Sequence, residues 1–107
     1  MSGRLPANML ATALLRRVND SGGFGMVLAK GTTDGSILVI ALERGTAPKL
    51  LERGLGPDGR TVLIDSTPAD DPDGYWRRRR ARDPDLWVIE VDIADAERFA
   101  AETILGD

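Results

Sequence analysis

The sequence contains no cysteine and no histidine, and these two absences exclude much of the chemistry that small proteins perform. Without cysteine, the chain can form neither disulfides nor thiolate-ligated zinc or iron–sulfur sites. Without histidine, it can assemble neither a Ser-His-Asp triad nor a His-ligated metal site. Acid–base catalysis would fall to carboxylates, Lys30, Lys49 or Tyr75, whereas general bases are most often histidines. We therefore predict a protein that is not an enzyme and has no catalytic residues, no metal ligands and no cofactor.

Long apolar runs are also missing. The longest uncharged apolar stretch, residues 37–42, is far too short to cross a bilayer. Residues 1–6 contain no apolar segment of the length found in signal peptides. We therefore expect a cytoplasmic protein with no membrane partner. The net charge of −3 argues against a protein whose whole surface serves nucleic acid.

What the chain does contain fits one globular domain over residues 1–107. Apolar residues make up 42% and charged residues 29% of the sequence, which is ordinary for a folded protein. The length suits a single domain and one modest core.

The first helix signal comes near the start of the chain. Residues 6–19 place apolar side chains at spacings of three to five, which is typical of one buried helical stripe. Pro6 suits the first helical position, and Gly22-Gly23 supplies a stop. The predicted stripe consists of Met9, Leu10, Ala13, Leu14 and Val18.

Five short β-rich runs follow, at residues 24–30, 36–43, 49–53, 60–65 and 86–93. The second run is apolar on both alternating faces, which predicts a central strand covered on both sides. Asp34-Gly35 is a strong hairpin signal between the first two runs. Together the turns predict a strongly bent antiparallel meander.

Two further helices interrupt or follow these strands. Residues 72–82 are predicted to be helical, because Asp71 can cap the start and Asp83-Pro84 ends the segment. A short helix from Asp95 to Leu105 either docks on the sheet or frays. The predicted fold class is therefore α+β: an N-terminal helix, about five strands, a helix before the last strand and a short C-terminal helix.

Two motifs suggest ligands but have simpler explanations. Gly54, Gly56 and Gly59 match the dinucleotide fingerprint, yet a strand follows them where the fingerprint requires a helix. We therefore interpret residues 54–59 as a hairpin loop. Asp70, Asp71 and Asp73 could hold a hard cation, but helix capping accounts for them.

The most conspicuous feature is an arginine run beside aromatic residues, a combination that can grip phosphates and stack bases. The same segment is rich in aspartate, and Asp73 lies four residues before Arg77, so the arginines could equally form a solvated, ion-paired helix. The candidate nucleic-acid or anion-binding residues are Arg16, Arg17, Tyr75, Trp76, Arg77, Arg78, Arg79, Arg80 and Arg82. Trp87 lies on an apolar strand face and is interpreted as core.

Residues 82–91, with their Asp-Pro-Asp-Leu-Trp block, resemble a family of short, mostly alphaproteobacterial proteins that is known only as a domain of unknown function. Residues 14–17, followed by a Gly-rich turn and a Val-rich strand, share this resemblance. The resemblance identifies related proteins, but it implies no activity, substrate or catalytic residues. The order of elements is also similar to the small bent-sheet barrel of Sm-like RNA-binding proteins, although this chain adds two helices and lacks an Sm motif.

These observations leave three functions open. The first is a non-enzymatic binding or interaction module of unknown partner, for which a homo-oligomer formed through a sheet edge is one option. The second is an RNA-binding module, which requires the arginines to converge on one face. The third is a small-molecule enzyme that uses Asp and Arg residues, which requires a deep pocket holding a carboxylate with a shifted pKa.

Overall fold

The computed structural model describes residues 5–106, which form three helices and five strands. In chain order these elements are α1 (Ala7–Asp20), β1 (Phe24–Ala29), β2 (Ile37–Leu42), β3 (Lys49–Leu55), β4 (Thr61–Asp65), α2 (Pro72–Arg82), β5 (Trp87–Asp92) and α3 (Ala96–Ile104). The prediction that residues 1–6 carry no leader falls largely outside the described residues. No helix within residues 5–106 is long and apolar enough to span a membrane.

The element order and the α+β class are confirmed. Helix α2 begins where predicted because the Asp71 carboxylate accepts a hydrogen bond from the Gly74 backbone N–H at 3.0 Å, which satisfies one of the free donors of the first turn. It ends at Arg82, directly before the Asp83-Pro84 pair.

The sheet differs from the predicted meander at one side. Its strand order is β1-β5-β2-β3-β4. The β2-β3-β4 part is an antiparallel meander as predicted, but β1 pairs with β5, and β5 runs parallel to β2. The hairpin predicted at Asp34-Gly35 is therefore not formed, because β5 lies between its two strands. Since β5 is buried on both faces along most of its length, an interior position removes more apolar surface from water than an edge would.

The open sheet corrects the small-barrel prediction. Strands β1 and β4 lie at opposite edges and do not pair with each other. The Sm-like analogy therefore holds for the order of the first elements and not for the architecture.

Helices cover the two faces of the sheet unequally. Helices α1 and α3 pack on one face, where Val39, Trp87 and Ile89 lie in the main core. The predicted apolar face of the last strand is thus confirmed as core. Helix α3 docks here through Ala96, Ala100 and Ile104. Helix α2 packs on the other face, over a smaller core that consists of Leu38, Ile40, Leu50, Trp76, Leu86 and Val88.

The stripe predicted for α1 is correct in part, since Ala13 is only partly buried. Leu10, Leu14 and Val18 are buried, but Met9 is 51% exposed. Ala7 and Ala11 occupy the buried positions instead, because the helix begins at Ala7 and turns this row of small residues toward the sheet.

The crossover from β1 to β2 passes closely over the start of β5. The Thr32 N–H donates to the Asp85 carbonyl at 3.1 Å, and the Trp87 N–H donates to the Ser36 carbonyl at 2.8 Å. The Trp87 indole donates to the Thr32 carbonyl at 2.7 Å. The distinctive Asp-Pro-Asp-Leu-Trp block therefore has a structural role, since it fixes β5 beneath this loop.

Candidate functional site

The arginines that the sequence marks as candidates lie on opposite sides of the sheet. Arg16 and Arg17 belong to α1, and the remaining candidates belong to α2, which packs on the other face. The structure therefore does not bring the two groups together into one surface.

Arg17 joins α1 to α3. Its guanidinium donates to the Glu102 carboxylate at 2.7 Å and to the Thr103 hydroxyl at 2.8 Å. The same guanidinium lies 5.3 Å from the centre of the Phe99 ring. The hydrogen bond from Arg17 lowers the pKa of Glu102. These contacts account for Arg17 as a packing residue, whereas Arg16 is exposed.

Arg79 and Arg80 are held from within the protein. Arg79 donates to the Glu52 carboxylate of β3 at 2.7 Å, and the Ser66 hydroxyl donates to the same oxygen at 2.5 Å. Burial acts to raise the pKa of Glu52, but the hydrogen bonds from Arg79 and Ser66 and the Arg79 charge together lower it. Arg80 donates to the Lys30 carbonyl at 2.8 Å.

The other arginines of α2 face solvent. Arg77 lies over the Trp76 ring at 4.9 Å from its centre, and Arg78 is 3.8 Å from the Asp71 carboxylate. The predicted Asp73–Arg77 pair is replaced by a hydrogen bond of 3.3 Å from the Trp76 indole to Asp73. Arg82 is exposed.

The two adjacent aromatics of α2 differ in burial. Trp76 is 8% exposed and packs into the smaller core, whereas Tyr75 is half-buried against its edge, with the Arg79 guanidinium 5.9 Å from its ring. Each ring therefore already has an arginine against it.

The glycine motif forms a turn, and the aspartate motif lies at the start of α2, where Asp71 caps the helix. Residues 54–59 lie in and beside the β3–β4 hairpin, where the Gly56 N–H donates to the Arg60 carbonyl at 2.7 Å and Gly59 has a φ of 81°. No group of three or more carboxylates within residues 5–106 is placed to hold a metal ion.

A cleft of about 470 Å³ lies between the β2–β3 loop and the start of α3. Four alanines line it together with Thr46, and its charged side chains are Glu43, Arg44, Lys49 and Glu97. Lys49 and Glu97 pair with each other at 3.3 Å. The carboxylates whose pKa values are lowered, namely Glu52, Asp65 and Glu102, do not line this cleft.

Part of the sheet face that carries α2 remains uncovered. Met26 pairs with Glu90 and Phe24 pairs with Asp92, so these four side chains point to the same side as α2. The intervening Gly25 faces α1, since a Cβ there would lie 2.9 Å from a Leu15 methyl. On β2, Leu42 pairs with Asp92 and completes the area. We call this area the acidic-apolar patch: Phe24, Met26, Leu42, Glu90 and Asp92.

The patch combines exposed apolar surface with negative charge. Phe24 is 58% exposed and Met26 is 41% exposed, and neither belongs to the smaller core under α2. Asp92 accepts hydrogen bonds from the Arg44 and Gly45 N–H groups at 2.7 and 3.1 Å. The half-buried Glu90 carboxylate has no hydrogen-bond or ion-pair partner within residues 5–106.

Sequence reasoning missed the patch, although its signal was present. Phe24 and Met26 alternate with Gly25, and Glu90 and Asp92 alternate with apolar residues, so each strand shows one face of distinct character. The patch exists only because β1 pairs with β5, and the sequence pattern favoured β2 as the partner of β1.

The free edge of β1 is poorly suited to pair with a further strand, whereas the face of β1 is open to contact with a partner. The Gly25 N–H, which a further strand would need, donates to the Asn19 side chain at 3.1 Å. The register also shifts between Val27 and Ala29, and such an irregularity obstructs regular pairing.

Comparison with known proteins places the whole fold in one family. A crystal structure of a DUF1491 family protein from Caulobacter crescentus CB15 is 30% identical, with a TM-score of 0.77 over 89% of this chain and 94% of the other. A solution structure of a protein from A. tumefaciens is 27% identical, with a TM-score of 0.65 over 84% of this chain and 86% of the other. None of the curated proteins compared with the chain matches it. Residues 5–101 match the family model described as "Protein of unknown function (DUF1491)", and the chain therefore belongs to the DUF1491 family.

Proposed function

We propose that this protein is a non-enzymatic interaction module that binds, through the acidic-apolar patch, a protein segment presenting a cationic side chain among apolar ones. The observation that carries the proposal is the half-buried Glu90 carboxylate, which lacks a partner within residues 5–106 and is flanked by the exposed side chain of Met26.

The chemistry of the patch selects the partner. Phe24 and Met26 are adjacent exposed apolar side chains, and their burial by a partner would be favourable. A purely apolar partner would bury the Glu90 carboxylate without compensation, which is costly. A guanidinium or ammonium group on an apolar stem supplies a charge-assisted hydrogen bond to Glu90, while its stem covers Met26 and Phe24.

The non-enzymatic part of the proposal rests on the residues present. The chain has no histidine and no cysteine. The shifted pKa values of Glu52 and Glu102 are accounted for by the salt bridges to Arg79 and Arg17, which join secondary-structure elements. Cytoplasmic location, which composition leads us to expect, is part of the same proposal.

A designed peptide probe tests the proposal. The probe is an acetylated, amidated helical peptide of leucines and arginines at i, i+4 spacing, and its control has every arginine replaced by glutamate. We expect the Leu/Arg peptide to shift the backbone amide NMR signals of Phe24, Met26 and Glu90 in the ¹⁵N-labelled full chain. We expect Glu90→Gln to weaken this binding about tenfold, and the matched exposed change Glu97→Gln, on α3, to leave it unaltered.

Two results would overturn the proposal. One is the absence of any shift at the patch with the Leu/Arg peptide. The other is equal binding of the Leu/Arg and Leu/Glu peptides, which would make the contact purely apolar.

A further inference from the structure

We infer that the natural occupant of the acidic-apolar patch is helix α2 of a second copy of this chain, held in a twofold-symmetric dimer. This inference rests on the proposed function, because it names the partner of the same patch.

The first argument is the placement of opposite charges. Helix α2 and the patch lie side by side on one face of the sheet, so a twofold axis that runs parallel to that face, above it and between them, would place each α2 over the patch of the other copy. Four exposed residues of α2 lie on one side of the helix, because their spacing confines them to less than half of its circumference. These residues are Arg77, Arg78, Ala81 and Arg82.

The second argument is that Arg77 and Arg82 are not engaged in salt bridges within a single copy of the chain. Arg77 lies against Trp76, so its guanidinium is already ordered at the surface. Arg82 is exposed and has no ion-pair partner within residues 5–106. Both can therefore pair with Glu90 of the partner without breaking an existing salt bridge, in contrast to Arg79.

The third argument is area. The patch spans three strands and two residue rows, so it measures roughly 10 by 10 Å. A single contact of that size falls well short of the about 800 Å² per partner that stable dimers bury. A twofold axis forms the contact twice and includes both α2 helices, which brings the interface toward the required size. The symmetry also closes the assembly at two copies, whereas a head-to-tail contact would continue as a filament.

A charge-reversal experiment on the full chain tests this arrangement by sedimentation equilibrium. We expect the wild type to dimerise in the micromolar to millimolar range, more weakly as salt increases. We expect Glu90→Arg alone, or Arg77→Glu/Arg82→Glu alone, to weaken self-association at least about tenfold, because like charges then face each other. Mixing the two variants restores opposite charges at both contacts, so a heterodimer should form. Arg16→Glu, on the opposite face of the protein, is the matched control and should leave the dimer intact.

The outcomes separate this inference from the proposed function. A wild type that stays monomeric at millimolar concentration, while its patch still binds the Leu/Arg peptide, overturns the dimer and leaves the binding module standing. A dimer that survives both charge reversals overturns the assigned geometry. Circular dichroism and a thermal melt establish that each variant is folded. If a variant is not folded, the salt dependence of the wild-type dimer tests the charge pairing. A dimer whose stability does not change with salt contradicts that pairing.

Discussion

Glu52 on β3 and Arg79 on α2 form a salt bridge of 2.7 Å, and their side chains are only 21% and 22% exposed. This ion pair connects α2 to β3, and the Ser66 hydroxyl donates a further hydrogen bond to the Glu52 carboxylate. It is also what distinguishes Arg79 from its neighbours in the arginine run, since the Arg78–Asp71 pair is 3.8 Å apart and largely exposed.

We expect Arg79→Met to lower the free energy of unfolding by about 2 kcal/mol, because it leaves a half-buried carboxylate without its cation. The matched variant Arg78→Met should cost less than about 0.5 kcal/mol, as is usual for exposed pairs. Urea denaturation followed by circular dichroism measures both. Equal losses in the two variants would mean that the Glu52 contact does not contribute.

The same pair predicts how stability depends on pH. Since the pKa of Glu52 is lowered in the folded protein, its carboxylate binds fewer protons there than in the unfolded chain. Its contribution is therefore fully present above the unfolded pKa of about 4.3 and is lost as the pH falls through the folded pKa. We expect a chemical denaturation series from neutral pH to pH about 3 to show a smaller decrease for Glu52→Gln than for the wild type. A decrease of the same size would assign the acid sensitivity to other carboxylates.

Gly35 is predicted to be intolerant of a side chain. A Cβ at this position would lie 1.8 Å from the Asp85 carbonyl oxygen, so Gly35→Ala must push the crossover loop away from β5. We expect a loss of about 2 kcal/mol or more. Gly56→Ala is the matched control, because the nearest atoms to its Cβ are at ordinary distances of 3.4–3.5 Å. A thermal melt of the two variants that shows the same midpoint would contradict the close approach.

The candidate nucleic-acid surface can be tested by fluorescence anisotropy with a short single-stranded RNA at about 50 and about 200 mM salt. We expect no salt-sensitive binding, because Arg79 and Arg80 are held by Glu52 and the Lys30 carbonyl. Binding at the lower salt that disappears in Arg77→Glu/Arg80→Glu would instead identify α2 as a phosphate-binding helix. Arg16→Glu, on the opposite face, then serves to show whether the effect is local.

The elements of the fold were predictable because their signals are local. Asp71 and the Asp83-Pro84 pair act on the backbone within a few residues, so both ends of α2 follow from the sequence. The double apolar pattern of β2 likewise predicts its central position, which the strand order confirms.

Strand pairing was less predictable because it depends on contacts between distant residues. Asp34-Gly35 does form a tight turn, in which the Gly35 N–H donates to the Thr32 carbonyl at 3.1 Å, but this turn belongs to the crossover over Asp85 and not to a hairpin. The acidic-apolar patch was not predictable for the same reason, since it depends on which strand lies beside β1 and on how far α2 extends over the sheet. The arginine run of α2, by contrast, was evident from the sequence, but the contact that each arginine makes could not be predicted from it.

The insertion of β5 between β1 and β2 also determines when these strands can pair while the chain is being synthesised. During synthesis β2 can pair with β3 as soon as β3 emerges, but β1 has no strand neighbour until Trp87–Asp92 has left the ribosome. A β1–β2 hairpin could pair β1 as soon as β2 emerges, whereas here β1 remains unpaired until the much later β5 has been made. Late synthesis of the fifth strand thus leaves β1 and the β5-facing edge of β2 unpaired while the segments between them are being made.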